Sequence, residues 1–336
     1  MKTKILALLI LLVPVLCIGQ VLTSQEKQII FNNVKDALKK DYHFKEQVAN
    51  IINRLDQNWK AGHYAALNKR EDFTNELSNN LKEIAKDNHL NFFYATADEA
   101  REQEKGPNMP WGLINPKFLN NGLNKVEILE GDIGYLRIQA FGSMDEILPA
   151  AFKFLAETRA LIIDLRGNGG GMLSNMAASY LLPEDSILVN TIFWNDRTDS
   201  IFTHRKIEGP RYLERPVYLL TDKGTFSSAE EFAYDLQAFK RVTIVGETTG
   251  GGANPGGLVP IFTFKDSSRL ALYVSMAHVV NPITNSNWEG KGVKPDILTD
   301  SKEALTKAHR LAIEYVMQKE TNAMIKKQYG EILRKI

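Results

Sequence analysis

Two apolar segments, each ending in a turn, constrain the fold of this chain more than any other feature. The first lies in Ala160–Gly171 and runs into three consecutive glycines, and the second lies in Arg215–Phe232 and runs into two serines. Short apolar runs that alternate with helical patterns are typical of buried parallel strands in an α/β protein. The sequence therefore predicts a sheet with a glycine turn after one strand and a serine-bearing turn after another.

These two turns also suggest a chemistry. Glycines let backbone N–H groups approach a ligand closely. Ser227 and Ser228 stand in the first turn of a predicted helix whose apolar stripe is Ala229, Phe232 and Leu236. A donor-rich turn beside a serine at the start of a helix is what acyl transfer requires. A serine that only caps the helix fits the same local pattern, so both interpretations stay open.

The composition excludes several classes of protein. The chain has 336 residues, 44% of them hydrophobic and 24% charged, with a formal net charge of +1. No clustered basic segment indicates binding to nucleic acid. Cys17 is the single cysteine, so a chain cleaved after it has neither a disulfide nor a cysteine nucleophile or ligand.

The first 19 residues have the pattern of a secretory signal. Lys2 and Lys4 precede a short apolar stretch that contains Pro14 and ends near Gly19. We therefore expect export to the periplasm or the outside of the cell, with no stable membrane insertion after cleavage. A membrane anchor is one alternative, and a lipid anchor through Cys17 is another.

Three segments follow the predicted signal. Residues 20–100 have helical spacing and a possible capping box at Thr23 and Glu26, residues 101–300 alternate strands with helices, and residues 301–336 return to helix. The predicted fold class is α/β, with an N-terminal helical domain and a C-terminal helical tail that covers the core or joins subunits.

A catalytic serine needs a base, and no local pattern distinguishes one. Lys223 is one remaining candidate. Each histidine is individually more typical of a structural or solvated residue than of a catalytic one. The six are His43, His63, His89, His204, His278 and His309.

Four motifs together resemble the tail-specific protease superfamily of serine peptidases, and they occur in that family's order between about Ile133 and Leu298. They are Asp164–Gly171, Thr225–Phe232, Val245–Gly252 and Glu289–Asp296. The helical region followed by Asp87–Leu90 resembles the branch that contains interphotoreceptor retinoid-binding protein modules and the core of tricorn protease. The resemblance implies a ClpP/crotonase-like ββα core.

The chain departs from the processing proteases of this superfamily in two ways. Gly250–Gly252 stands where those enzymes carry a catalytic lysine, so their Ser–Lys dyad is absent. The gap between Ala95 and Lys125 is too short for the PDZ domain that they usually carry.

The resemblance to tricorn implies a serine, a histidine and a carboxylate as the catalytic unit. By position, Ser228 matches the nucleophile, His89 the base and Glu289 the carboxylate that orients it, with Glu247 as an alternative orienter. Asn88 stands where a further polar residue completes the site. The oxyanion hole is expected from backbone N–H groups of Gly169, Gly170, Gly171 and Ala229.

The sequence thus predicts an exported serine endopeptidase that forms an acyl-enzyme and acts on unfolded or extended polypeptide. No metal or cofactor is expected, and a homo-oligomer is possible. The alternative is a module on the same fold that binds a lipophilic ligand such as a retinoid or fatty acid without catalysis.

Overall fold

The computed structural model describes residues 21–99, 120–142, 144–172, 174–183 and 186–336. The predicted signal at residues 1–19 lies outside these ranges. Within them, no helix is both long and apolar enough to cross a membrane.

Three helices follow the apolar periodicity of the N-terminal region. They are α1 (Ser24–Asp41), α2 (Lys45–Lys60) and α3 (Arg70–Ala85). The predicted capping box opens α1, because the Glu26 N–H donates to Thr23 Oγ1 at 3.1 Å and the Thr23 N–H donates to Glu26 Oε2 at 2.8 Å. After α3, a short segment that contains His89 leads into β1 (Phe92–Ala95).

The centre of the molecule is a six-stranded sheet in the order β12-β8-β7-β4-β3-β2. Only the β2–β3 pair is antiparallel, and the other neighbours run parallel. The strands are β2 (Leu123–Leu129), β3 (Ile133–Ile138), β4 (Ala160–Asp164), β7 (Val217–Thr221), β8 (Thr243–Gly246) and β12 (Ile297–Leu298).

Helices cover both faces of this sheet. On one face, Leu161 and Ile163 pack in a core with α4 (Ile147–Leu155), α5 (Ser174–Ser179) and α6 (Ser228–Ala238). On the other face, Ile162 packs in a core with α7 (Ala304–Lys319) and α8 (Ala323–Lys335). Because β4 is buried on both faces, its sequence is a continuous apolar run, as parallel strands require.

Two antiparallel three-stranded sheets complete the fold. The sheet β1-β10-β9 contains β9 (Gly256–Thr263) and β10 (Arg269–Ser275), and its residues share a hydrophobic core with the N-terminal helices. The sheet β11-β5-β6 contains β5 (Leu188–Trp194), β6 (Thr198–Phe202) and β11 (Ala277–Val280). Strand β10 continues almost directly into β11. The segment after β8 therefore passes through one small sheet (β9 and β10) and the other (β11) before it returns to the central sheet as β12.

The predicted α/β class, the N-terminal helices and the C-terminal helical tail are confirmed. The tail packs on a face of the central sheet through Ala304, Ala308 and Ala312.

Candidate active site

Three turns meet at the carboxyl ends of neighbouring parallel strands. They are the glycine turn after β4, the serine turn after β7 and the turn 247–252 after β8. Backbone hydrogen bonds join them, since the Phe226 N–H donates to Asn168 O at 2.9 Å and the Gly250 N–H donates to Thr225 O at 3.0 Å. Ligands bind at this end of open α/β sheets because the loops converge there.

Ser227 stands on a sharp turn between β7 and α6. Its backbone has φ 54° and ψ −125°, which an L residue rarely adopts. Such strain persists only where surrounding contacts enforce it, and it is common at catalytic sites. Here the Ser227 N–H donates to Glu230 Oε2 at 3.0 Å. This geometry presents the Ser227 hydroxyl at the positive end of α6, as the strand-to-helix turn of α/β-hydrolases presents its serine.

Glu230 fixes this turn to the glycines of the turn after β8. Its Oε1 accepts from the Thr249 hydroxyl and from the Gly251 N–H, and its Oε2 accepts from the N–H of Gly252 at 2.7 Å as well as from Ser227. The buried carboxylate thus holds the serine turn and the Gly250–Gly252 turn in one arrangement. Its role is structural.

His89 reaches the serine turn from the N-terminal half of the chain. Its Nε2 lies 3.2 Å from Ser227 Oγ, a hydrogen bond across 138 residues of sequence. The ring stacks on Tyr273 with centroids 5.2 Å apart and contacts Phe226 with centroids 4.7 Å apart. Gly252 also faces it, because a Cβ at residue 252 would lie 2.8 Å from His89 Cε1. The imidazole is therefore held in a closely packed slot.

The structure places Ser227 beside His89, one residue before the predicted nucleophile Ser228. The Ser228 hydroxyl turns away from His89 and donates to Gly171 O at 2.7 Å, whereas the Ser227 hydroxyl meets the imidazole. The reason is the left-handed φ of Ser227, which sends its side chain out of the turn, while Ser228 is already the first residue of α6.

The glycine turn lies directly against this serine turn. A Cβ at Gly170 would lie 2.8 Å from Ser227 Cβ, and a Cβ at Gly171 would lie 2.1 Å from Phe141 O. Both residues also have a positive φ, of 100° and 137°. Only glycine fits at these two positions, and the close approach brings the backbone of the glycine turn next to the serine.

The predicted donors of the oxyanion hole need correction at Ala229 and Gly170. The Ala229 N–H donates to Phe226 O at 3.1 Å, and the Gly170 N–H donates to Asn168 Oδ1 at 2.8 Å, so both are engaged. Among the described residues, the N–H groups of Ser228 and Gly171 have no hydrogen-bond partner. The Gly169 N–H also has no hydrogen-bond partner in this part of the structure, and Gly169 precedes the other two glycines with open space beside its Cα.

Glu289 and His89 each present an unsatisfied atom at the site. Glu289 Oε2 accepts from the N–H groups of Ala253 at 2.7 Å and Asn254 at 3.0 Å. Glu289 Oε1 and His89 Nδ1 are both buried without a hydrogen-bond partner in the described part of the chain. Buried polar atoms are nearly always paired, and Asp87 Oδ2 and Asn254 Oδ1 are two further buried atoms without a partner in the described residues.

Burial sets the electrostatics of these groups. It lowers the pKa of His89 to about 4, with a smaller effect from Lys82, so the free imidazole is a neutral base at pH 7. Burial also raises the pKa of Glu289 to about 7, and the negative charge of Asp87 adds to this effect. Asp87 accepts from the His89 N–H at 2.9 Å and so fixes the backbone that carries the imidazole.

The remaining predicted residues lie near the site without joining the Ser227–His89 pair. The exposed Asn88 donates from Nδ2 to Gly250 O at 3.0 Å and so supports the turn after β8. Glu247 accepts from the Ser301 N–H at 3.3 Å, away from the imidazole. Lys223 is exposed in the turn after β7.

Sequence reasoning missed Ser227 as the serine that contacts His89, and it missed Glu231, which lines a cavity beside Ser227. Both stand in the quoted Thr225–Phe232 motif, so the region was found but not the residues. The signal for Ser227 was the pair of adjacent serines, of which only one can leave the helix. The signal for Glu231 was a second acidic residue, Asp235, one helical turn later on the same face of the helix, with no lysine or arginine between them.

Comparison with known proteins defines the class to which this fold and site belong. The model of peptidase family S41 matches residues 132–299, and that of the N-terminal domain of peptidase S41 in eukaryotic IRBP matches residues 21–123. The chain belongs to peptidase family S41. This confirms the predicted family and its class, the serine peptidases, and it does not favour the alternative of a non-catalytic module.

Curated relatives include carboxyl-terminal processing proteases. The chain is 32% identical over 148 residues to the carboxyl-terminal-processing protease of Synechocystis sp. This match covers 43% of this chain and 33% of the relative. The chain is 29% identical over 174 residues to the carboxy-terminal processing protease CtpB of Bacillus subtilis. That match covers 49% of this chain and 33% of the relative. The chain thus spans about a third of the length of these relatives.

Solved structures share the fold. A candidate peptidase from Parabacteroides merdae superposes with a TM-score of 0.58 at 20% identity, over 85% of this chain and 96% of that one. The tricorn protease superposes with a TM-score of 0.50 at 14% identity, over 91% of this chain and 37% of that one.

Proposed function

We propose that this chain is a serine endopeptidase that hydrolyses extended polypeptide through an acyl-enzyme, with Ser227 as the nucleophile. The observation that carries the proposal is the 3.2 Å contact between His89 Nε2 and Ser227 Oγ. A nucleophile within hydrogen-bond reach of a neutral base is the requirement for serine catalysis. The strained backbone of Ser227 and its position at the start of α6 support the same role.

Acylation and deacylation follow from this pair. Ser227 Oγ forms a bond to the scissile carbonyl carbon while its proton passes to His89 Nε2. The C–N bond then breaks, and the imidazolium gives the proton to the leaving amine. In deacylation, a water molecule gives a proton to His89 and attacks the ester carbonyl, and Ser227 recovers its proton as the peptide acid leaves.

Two backbone N–H groups provide the oxyanion hole in this proposal. They are those of Ser228, which follows the nucleophile, and Gly171, whose turn lies against it. Both are unpartnered in the described residues and are thus available to the negative oxygen of the tetrahedral intermediate. Loss of one such donor typically raises the barrier by about 3 kcal/mol.

Glu289 acts in the proposal as the group that orients His89. When the imidazole becomes charged, its Nδ1–H would donate to Glu289 Oε1, and both unpaired atoms would gain a partner. The attraction between the two charges is stronger in the low dielectric of the buried site, and it offsets part of the desolvation that disfavours each charge alone. Glu289 is thus the third member of the unit, as the family resemblance implied.

The substrate and location are proposed from the family and the sequence. The curated relatives are named as processing proteases, which supports a polypeptide substrate. The signal-like residues 1–19 support export and action outside the cytoplasm.

A direct test compares one disulfide-bonded protein in two forms, native and reduced with its thiols alkylated. We expect the purified enzyme to cleave the unfolded form at least about 100-fold faster, because only an extended chain places its carbonyl beside Ser227. Mass spectrometry of the products gives the cleavage sites. Failure to cleave the unfolded form under any condition between pH 6 and 9 would contradict the proposal.

A further inference from the structure

A cavity of about 420 Å³ opens beside the nucleophile. Ser227 and Gly171 lie at its rim, so a substrate bound at the reactive serine places a neighbouring side chain in it. Most of its wall is apolar, formed among others by Met172, Ile192 and Val279. This volume and lining fit one long side chain with an aliphatic stem.

One carboxylate interrupts the apolar wall. Glu231 lies on α6, one turn after Ser227, and contributes to the lining of the cavity. Its Oε2 accepts from the Ser174 hydroxyl at 2.5 Å, and its Oε1 accepts from Asn190 Nδ2 at 3.0 Å. These bonds hold the carboxylate in place but leave its charge uncompensated, because both donors are neutral.

A second carboxylate lies behind the first. Asp235, one further turn along α6, is buried and accepts from Asn190 Nδ2 at 2.7 Å and from Asn281 Nδ2 at 2.9 Å. Among the described residues, no lysine, arginine or histidine forms an ion pair with Glu231 or Asp235. Buried carboxylates normally have a cationic partner, so this pair lacks a positive charge.

Asn190 shows the same excess of acceptors. Its side chain is fully buried and its amide donates to both carboxylates, but its Oδ1 has no hydrogen-bond partner in the described part of the chain. Burial raises the pKa of both Glu231 and Asp235, and repulsion from Glu231 adds to the effect at Asp235. The cluster therefore gains from an added positive charge, either a proton or the cation of a ligand, and Glu231 is the member that lines the cavity.

From this arrangement we infer that Glu231 selects a lysine or arginine side chain next to the bond that is cut. The aliphatic stem would lie along Met172, Ile192 and Val279, and the cationic end would meet Glu231. Long basic side chains bury their stems on apolar surface and keep the charge at a polar group, which this cavity provides. The inference rests on the proposed peptidase function and adds its specificity.

Two peptides that differ at one position test the inference. One carries lysine on the acyl side of the cleaved bond and the other carries norleucine, which has a similar stem and no charge. We expect the unaltered enzyme to show a kcat/KM at least tenfold higher for the lysine peptide. In Glu231→Gln the ratio should fall to near one, mainly through loss of activity on the lysine peptide.

Glu231→Asp is the matched variant, because it keeps the charge on a shorter side chain and should retain part of the preference. The peptide pair measured with the unaltered enzyme decides the question even where a variant does not fold. Equal rates on the two peptides, or a lysine preference retained in Glu231→Gln, would overturn the inference while leaving the peptidase intact. Absence of cleavage of either peptide and of any unfolded protein would overturn the proposed function itself, and the inference with it.

Discussion

Ser227→Ala should reduce kcat/KM on an unfolded polypeptide by about 10⁴-fold or more, since it removes the nucleophile of an interacting unit. The fold should be retained, because the Ser227 backbone N–H that donates to Glu230 remains in the variant. Circular dichroism and the urea midpoint check the fold, and product formation over hours checks the residual rate.

Ser228→Ala is the matched control for this experiment. It removes a hydroxyl one residue away that donates to Gly171 O, but it keeps the Ser228 N–H. We expect less than about a tenfold loss, close to the value of one ordinary hydrogen bond. The reverse order of effects, with Ser228→Ala inactive and Ser227→Ala active, would restore the assignment made from the sequence.

Glu289→Gln should lower kcat/KM by about 10³-fold at pH 8, because glutamine cannot stabilise the imidazolium as a carboxylate does. In the unaltered enzyme, kcat/KM should rise as the pH passes through about 7, where Glu289 ionises. The glutamine variant should lack this rise. Glu247→Gln is the control, because Glu247 accepts from the Ser301 backbone away from the imidazole and should change kcat/KM little.

Glu289→Gln should also stabilise the fold at high pH. The pKa of Glu289 is raised to about 7 from an ordinary value of 4.5, so between these pH values the folded state holds more protons than the unfolded state. The stability of the unaltered protein therefore falls as pH rises through this window, by up to about 3 kcal/mol. Glutamine carries no charge and avoids this loss.

Urea unfolding at pH 5 and pH 8 measures this effect. We expect the free energy of unfolding of Glu289→Gln to exceed that of the unaltered protein at pH 8 and to match it more closely at pH 5. A variant less stable than the unaltered protein at pH 8 would mean that ionised Glu289 stabilises the fold, contrary to this account.

The sequence predicted the parts of the fold that have strong local signals. The helices near the N-terminus and the buried strand at Ala160 were found because apolar spacing differs between an amphipathic helix and a strand buried on both faces. Strand β9 contains Gly256, Gly257 and Pro260, which weaken a strand pattern, so it was not predicted. Its place is set by pairing with β10 and by packing near the N-terminal helices.

The serine that contacts His89 was predicted to within one residue. The motif places two serines in the first turn of a helix, and local patterning gives both the same environment. The left-handed φ of Ser227 decides which hydroxyl leaves the turn, and that backbone angle depends on Glu230 and the glycine turns. The proposed oxyanion donor is likewise one residue earlier than predicted, the N–H of Ser228 and not that of Ala229, because the donor follows the serine that leaves the turn.

His89 was identified through resemblance because no local property marks it. Its neighbour in space lies 138 residues away, and periodicity contains no information about such a contact. Its approach depends on the packing of Tyr273 and Phe226 around the ring. The bond from Glu289 to His89 stays a prediction, since the two unpaired atoms are not joined in this structure.

Reaction of the active enzyme with a serine-directed phosphonate, followed by mass spectrometry of the digested protein, tests the central claim most directly. We expect one stoichiometric adduct on Ser227, formed with loss of activity and abolished in Ser227→Ala. An adduct on Ser228, or full inactivation without any adduct on Ser227, would contradict it.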